Sequence, residues 1–217
     1  MTEEKTTHGP LIGDKVPSFK AGSTQWPVNF PKDYEGKWVV LFSHPADFTP
    51  VCTTEFMVFQ DKYDEFKQRN TELLGYSVDG LHSHIEWVKN IKRNFDVDIE
   101  FPILAHPDIA KKYGMLHPGA DDTHTVRTVF FISPEGKLAA NLTYPLDNGR
   151  NIDEILRLLD ALQTTAKKGR ATPANWPNNK RLGDKLIVPP ANSLEKADQN
   201  EKDYEGYDWY IRTDENK

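Results

Sequence analysis

The run Lys37-Trp38-Val39-Val40-Leu41-Phe42-Ser43 is apolar without alternation, and it constrains the fold more than any other stretch of the chain. A half-exposed strand alternates apolar with polar residues. A continuous apolar run of strand length is covered on both faces, as in a parallel or mixed sheet with helices above and below. The next segment, His44-Pro45-Ala46-Asp47-Phe48-Thr49-Pro50-Val51-Cys52-Thr53-Thr54-Glu55, reads as a loop entering a helix. Thr49 suits the N-cap, and Pro50 suits the first helical position, where its missing N–H costs nothing. Cys52, the one cysteine in 217 residues, then falls near the third helical position. Its sulfur is thereby close to unpaired backbone N–H groups and the positive end of the helix dipole, which favour the nucleophilic thiolate. Open α/β sheets usually carry their sites at the C-terminal ends of strands, where this segment sits.

The remaining pattern is consistent with such a sheet. Phe56, Phe59, Tyr63 and Phe66 recur at three- and four-residue steps and predict one helix over Thr53–Arg69. Thr71–Val78 reads as a strand, His84–Phe95 as a helix and Ala110–Tyr113 as part of a short one. Val126–Ile132 is a further strand, followed by the turn Ser133-Pro134-Glu135-Gly136 and a returning strand near Leu138–Tyr144. Ile152–Lys168 is a long amphipathic helix, whereas residues 1–36, with Pro10, Pro17, Pro27 and Pro31, read as turns between short strands. After Gly169 the periodicity fades, but Trp176, Tyr204, Tyr207, Trp209 and Tyr210 make this tail too aromatic for a disordered one. It is expected to pack on its own body or on a partner subunit.

Composition excludes some classes. A net charge of -6 gives no reason to expect nucleic acid or an anionic membrane as partner. One cysteine cannot form an internal disulfide, which fits a reducing compartment. The stretch Met1–Thr7 is polar and mixed in charge, without the apolar centre of a signal peptide, and no stretch is apolar enough to span a bilayer. A cytoplasmic protein is the expectation. Glycine-rich phosphate loops are absent, so no nucleotide cofactor is expected. His82 and His84 have weak metal-ligand spacing and read as surface or helix-start histidines, and His106, His117 and His124 form no pattern. No metal is expected.

Arg127 is the second candidate for chemistry. Period-2 alternation puts it on the strand face shared by Val129 and Phe131. If that face is covered, a guanidinium there needs an anion, and a thiolate at Cys52 would serve; the alternative is a strand-end arginine that reaches solvent.

Pro45, Thr49 and Cys52, spaced as proline, three residues, threonine, two residues and cysteine, with Arg127 at a distance, resemble the peroxiredoxins. These are thiol peroxidases with a thioredoxin-like fold. His44–Glu55 is most similar to the one-cysteine branch and its long-tailed archaeal and bacterial relatives. Asp147–Asn151, Pro173–Pro177 and Leu186–Pro190 extend the resemblance over nearly the whole chain. The resemblance implies a thioredoxin-like peroxidase domain over residues 1–165, with a central mixed sheet flanked by helices, and a C-terminal dimerisation arm over 166–217. It implies reduction of hydrogen peroxide and organic hydroperoxides. Cys52 becomes a sulfenic acid, Thr49 and backbone N–H groups hold the peroxide, Arg127 stabilises developing charge, and Pro45 shields the site. His44 supplies a supporting hydrogen bond, and Glu55 pairs with Arg150 to orient the arginine. A homodimer, with a decameric ring of dimers as its extension, is the assembly it suggests.

Gly206 and Arg212 occupy the two positions where long-tailed relatives can carry resolving cysteines, which implies recycling by an external thiol or a thioredoxin-type protein. The absent resolver leaves the sulfenic acid open to further oxidation. The serine that a phospholipase activity in some animal relatives requires is missing from Tyr34-Glu35-Gly36-Lys37-Trp38, so that activity is not carried over. The rival reading is a redox sensor or holdase switched by oxidation of the same cysteine.

Overall fold

The computed structural model describes residues 9–216; the polar run Met1–Thr7 lies outside them. In chain order the elements are β1 (Phe19–Ser23), β2 (Val28–Phe30), β3 (Trp38–Ser43), α1 (Pro50–Asp61), α2 (Tyr63–Gln68), β4 (Thr71–Tyr76) and α3 (Leu81–Phe95). There follow β5 (Ile103–Ala105), α4 (Ile109–Lys112), β6 (Arg127–Ile132), β7 (Leu138–Tyr144) and α5 (Ile152–Lys168). The chain closes with β8 (Leu186–Ile187), α6 (Leu194–Asp203), β9 (Glu205–Asp208) and β10 (Ile211–Asp214).

Seven strands form one sheet in the order β2-β1-β5-β4-β3-β6-β7. The apolar run β3 lies parallel to β4 and antiparallel to β6, and all six of its residues are buried. This is the mixed, doubly covered strand expected from the sequence. Val39 and Leu41 join a cluster with Phe19, Phe30, Phe130, Ile132, and Ile109 and Ala110 of α4. Phe42, on the alternate face, stacks on Phe59 of α1 at 4.1 Å and meets Phe56 at 5.3 Å and Phe101 at 5.8 Å. The β6–β7 hairpin turns at Gly136, whose φ of 70° is open to glycine at no steric cost.

Two helix readings need correction. The helix that starts at Pro50, where the cap residues put it, does not run unbroken to Arg69 but breaks at Lys62, whose φ of -96° and ψ of 2° separate α1 from α2. The apolar spacing hid the break because Phe56, Phe59, Tyr63 and Phe66 are all buried on either side of it. Likewise α3 begins at Leu81, not at His84.

The chain divides into two compact units, Met1–Ile152 and Asp153–Lys217. The division falls at the start of α5, whereas the sequence reading put a boundary at 165. The reason lies within the second unit: Ala161 of α5 shares a small core with Trp176 and Leu186, and Arg157 donates to the Trp176 carbonyl at 2.9 Å. A three-stranded sheet, β8-β10-β9, completes this unit. Within it Gly206 pairs with Arg212 across the β9–β10 ladder, and a Cβ at Gly206 would lie 2.0 Å from the Ile211 carbonyl oxygen. Among the described residues, no helix is long and apolar enough to cross a membrane.

Replacing Phe42 with alanine removes a fully buried ring from the contact between sheet and α1. The expected cost is about 3–5 kcal/mol, read as a lower midpoint in urea unfolding; a loss below about 1 kcal/mol would show that this layer does not hold α1.

Candidate active site

The site is assembled where β3 ends. Thr49 is the N-cap of α1, with extended backbone (φ -107°, ψ 147°), and Pro50 follows as the first helical residue. Cys52 is therefore the third helical residue, and it is fully buried. Thr49 departs from expectation in its hydroxyl. It makes no cap bond to the helix and instead donates to the Ala46 carbonyl at 2.8 Å, so its own oxygen keeps acceptor capacity. Phe48, immediately before it, is exposed and holds a left-handed φ of 56°. Pro45 is buried in the same loop.

Arg127 comes from the other side, as the first residue of β6, and does not reach solvent. Its Nη1 donates to Cys52 Sγ at 3.3 Å and to Glu55 Oε2 at 2.7 Å, while its Nε donates to the Leu146 carbonyl at 2.8 Å. Glu55 lies one turn after the cysteine on α1. It also receives Arg150 through a two-pronged contact, Nε to Oε1 at 2.9 Å and Nη2 to Oε2 at 2.6 Å, and accepts the Arg150 backbone N–H at 2.8 Å. Arg150 donates further to the Ser43 carbonyl at 2.9 Å, and its guanidinium lies 5.2 Å from the Phe42 ring centre and 5.6 Å from that of Phe59.

The electrostatics follow from the count of charges. Burial alone would push the Glu55 carboxyl up, but the charge and hydrogen bonds of Arg150, then the charge of Arg127, hold it below its ordinary value of 4.5. Glu55 is thus an anion shared by two guanidiniums. One positive charge is left without a carboxylate of its own in a buried place, and Arg127 directs it at the Cys52 sulfur.

His44 belongs to a different network. Its Nε2 lies 2.9 Å from Asp47 Oδ1, and His84 Nδ1 lies 2.8 Å from Asp47 Oδ2. Asp47 and His84 were missed in the sequence. His84 does stand in the first turn of α3, but it is fully buried and not a surface histidine. The available signal was Asp47, three residues after His44 in the same loop; its second partner is 37 residues away and meets it only in the fold. Among the described residues, His44, Asp47 and His84 are the one grouping of three such side chains with ligand atoms within 4.8 Å of one another. Their own hydrogen bonds use both Asp47 oxygens and one nitrogen of each ring, so the set is closed on itself.

Residues 12–141 match the model of the AhpC/TSA family, and residues 161–206 match the C-terminal domain of 1-Cys peroxiredoxin. The chain belongs to the peroxiredoxin family. It is 56% identical to a peroxiredoxin of Ignicoccus hospitalis, across 93% of this chain and 87% of that protein. Among solved structures, a yeast mitochondrial 1-Cys peroxiredoxin, described as resolving its thiol via glutathione/thioredoxin systems, is 38% identical with a TM-score of 0.81, covering 94% of this chain and 98% of its own. The peroxiredoxin 6 of Arenicola marina is 36% identical with a TM-score of 0.81, covering 94% of this chain and 97% of its own. These relatives establish the thioredoxin-like fold and make the chain a thiol-dependent peroxidase, an oxidoreductase.

Glu55→Gln removes the shared anion from this peroxiredoxin site. Because the folded Glu55 value lies below its ordinary 4.5, its stabilising contribution is complete above that value and is lost as pH falls through the folded one. The variant is therefore expected to lose about 3–5 kcal/mol at neutral pH and to show a flatter acid limb in stability against pH. An unchanged acid limb would refute the buried-anion account.

Proposed function

We propose that Cys52 is the peroxidatic thiol. Its thiolate attacks one oxygen of a hydroperoxide; the S–O bond forms as the O–O bond breaks, the attacked oxygen remains as the sulfenic acid hydroxyl, and the other leaves as hydroxide or alkoxide that takes a proton from solvent. The observation that carries this reading is the Arg127 guanidinium 3.3 Å from the buried Cys52 sulfur, itself fixed by Glu55 and the Leu146 carbonyl. A fixed donor beside the reacting sulfur stabilises charge there without reorganising at the moment of reaction. Thr49, through the acceptor capacity of its hydroxyl, and the first-turn N–H groups hold the peroxide; Pro45 excludes water; His44 gives support; Arg150 orients Arg127 through Glu55.

With one cysteine in the chain, recycling falls to an external thiol, either a small thiol or a thioredoxin-type protein. The thiol displaces the sulfenic hydroxyl as water to give a mixed disulfide, and a second thiol frees Cys52. The biological role that fits is antioxidant defence in the cytoplasm. We read residues 166–217 as a dimerisation arm, with a homodimer as the unit and a ring of dimers as its extension. Support comes from Trp209 and Tyr210, about half exposed at the β9–β10 turn.

Stopped-flow mixing of reduced protein with one equivalent of hydrogen peroxide, followed by intact mass, is the test. The parent is expected to react fast and gain a single oxygen, while Cys52→Ser keeps its fold and loses turnover. A parent reaction as slow as that of an ordinary free thiol would reject the reading. Fast oxidation with no turnover by any thiol, joined to suppressed aggregation of a client protein, would replace it with a sensor or holdase.

Arg127→Ala is expected to slow both peroxide reaction and Cys52 alkylation at neutral pH, by roughly 100-fold for the peroxide step. Alkylation whose pH profile does not move would remove Arg127 from the role assigned to it.

A further inference from the structure

His44, Asp47 and His84 have side chains at 0–1% exposure, and the peroxidase chemistry assigned to Cys52 and Arg127 does not use Asp47 or His84. We propose that Asp47 and His84 are positioning residues for the peroxidase reaction: they fix which nitrogen of His44 carries its proton and, through Trp87 and Thr53, brace the helical turn that carries Cys52. The proposal rests on Cys52 being the peroxidatic thiol.

The tautomers follow from donor and acceptor counting. Two hydrogen-bonding histidines hold Asp47 well below the usual carboxylate range against the opposing effect of burial. An ionised carboxylate only accepts, so the nitrogens facing it, His44 Nε2 and His84 Nδ1, carry the protons. The other two nitrogens, His44 Nδ1 and His84 Nε2, are buried without a partner. A second proton on either ring would add a buried donor with nothing to accept from it. Burial lowers the His44 value, against the opposing pull of Asp47, and His84 and Arg150 lower it further. Those three are the charged or titratable groups acting on His44; behind Asp47 stands Asp79, which accepts the Asp47 backbone N–H at 2.9 Å and the Ser77 hydroxyl at 2.8 Å.

The mechanical path is continuous. Trp87 stacks on the His44 ring with centres 5.1 Å apart, and Phe56 meets that ring edge-on at 4.7 Å. The Trp87 indole N–H donates to Thr53 Oγ1 at 3.3 Å, and Thr53 Oγ1 donates to the Thr49 carbonyl at 2.8 Å. Thr49 and Thr53 enclose Cys52 in the chain. The first turn of α1 is therefore tied to a second polar network, distinct from the one through Glu55.

Three proteins test this: the parent, His84→Leu and His84→Asn. The asparagine amide nitrogen takes the place of His84 Nδ1 and can still donate to Asp47; leucine cannot. In His84→Leu the Asp47 charge is shared with one donor, so His44 binds a proton more readily, and the ring carrying it must leave its place against Trp87. As the His44 value rises, the rate constant for hydrogen peroxide falls as pH drops through that value, by roughly tenfold one pH unit below it, and recovers toward the parent above it. The expected result is this inflection in His84→Leu, its absence from the parent, and its rescue in His84→Asn, with all three matched in thermal unfolding. Nitrogen NMR of the parent needs no variant and is expected to show His44 protonated at Nε2 and His84 at Nδ1. A parent-like pH profile in His84→Leu overturns the proposal, as does equal loss in His84→Asn. His44 protonated at Nδ1, or one equivalent of zinc held by the parent and lost from both variants, also overturns it. A slow parent reaction instead overturns the role of Cys52, which the parent curve alone reveals.

Discussion

Everything at this site depends on a single buried carboxylate. Glu55 accepts from two guanidiniums, and those guanidiniums come from different parts of the chain: Arg127 from a strand of the central sheet, Arg150 from the segment after β7. Without that anion the two cations would repel each other in a place where water cannot screen them. With it, one positive charge remains to be matched, and Arg127 presents it to the sulfur. The arrangement couples charge to folding. The groups that surround the cysteine sulfur are also those that join helix to sheet, so the site and the fold share the same hydrogen bonds.

The sheet supplies the rigidity this requires. β3 is buried on both faces, and its last residue, Ser43, lends its carbonyl to Arg150. Phe42, one residue earlier, places its ring against Phe59 of α1 and beneath the Arg150 guanidinium. A cation lying on stacked aromatic rings keeps favourable contact with the ring faces while giving up water. The apolar layer and the ionic layer are thus continuous, and a displacement in one is felt in the other.

Local chemistry made part of this legible in the sequence. The N-cap and first-turn grammar at Thr49 and Pro50 is written in adjacent residues, so the position of Cys52 on α1 could be read directly. Arg127 was readable by alternation, and its burial settles the choice between an anion and solvent. The Glu55–Arg150 pair came through family resemblance, because residues 95 positions apart carry no local signal of contact. The His84–Asp47 contact failed to show for the same reason. The break at Lys62 was hidden by an apolar face that continues across it, and the Thr49 hydroxyl turned to Ala46 because a side-chain rotor chooses among acceptors that only the folded loop supplies.

The close approach at Gly206 bears on how such a chain could be redesigned. Thiol relays within one polypeptide need a second sulfur, and the β9–β10 ladder offers two facing positions, 206 and 212. They are not equivalent starting points. Position 212 already bears a long side chain, whereas at 206 any side chain begins 2.0 Å from a backbone oxygen. Substitution there must therefore re-register or spread the two strands before it adds reactivity. A self-resolving descendant with its sulfur at 206 would have to reshape the hairpin first, whereas one with its sulfur at 212 would only exchange one side chain for another.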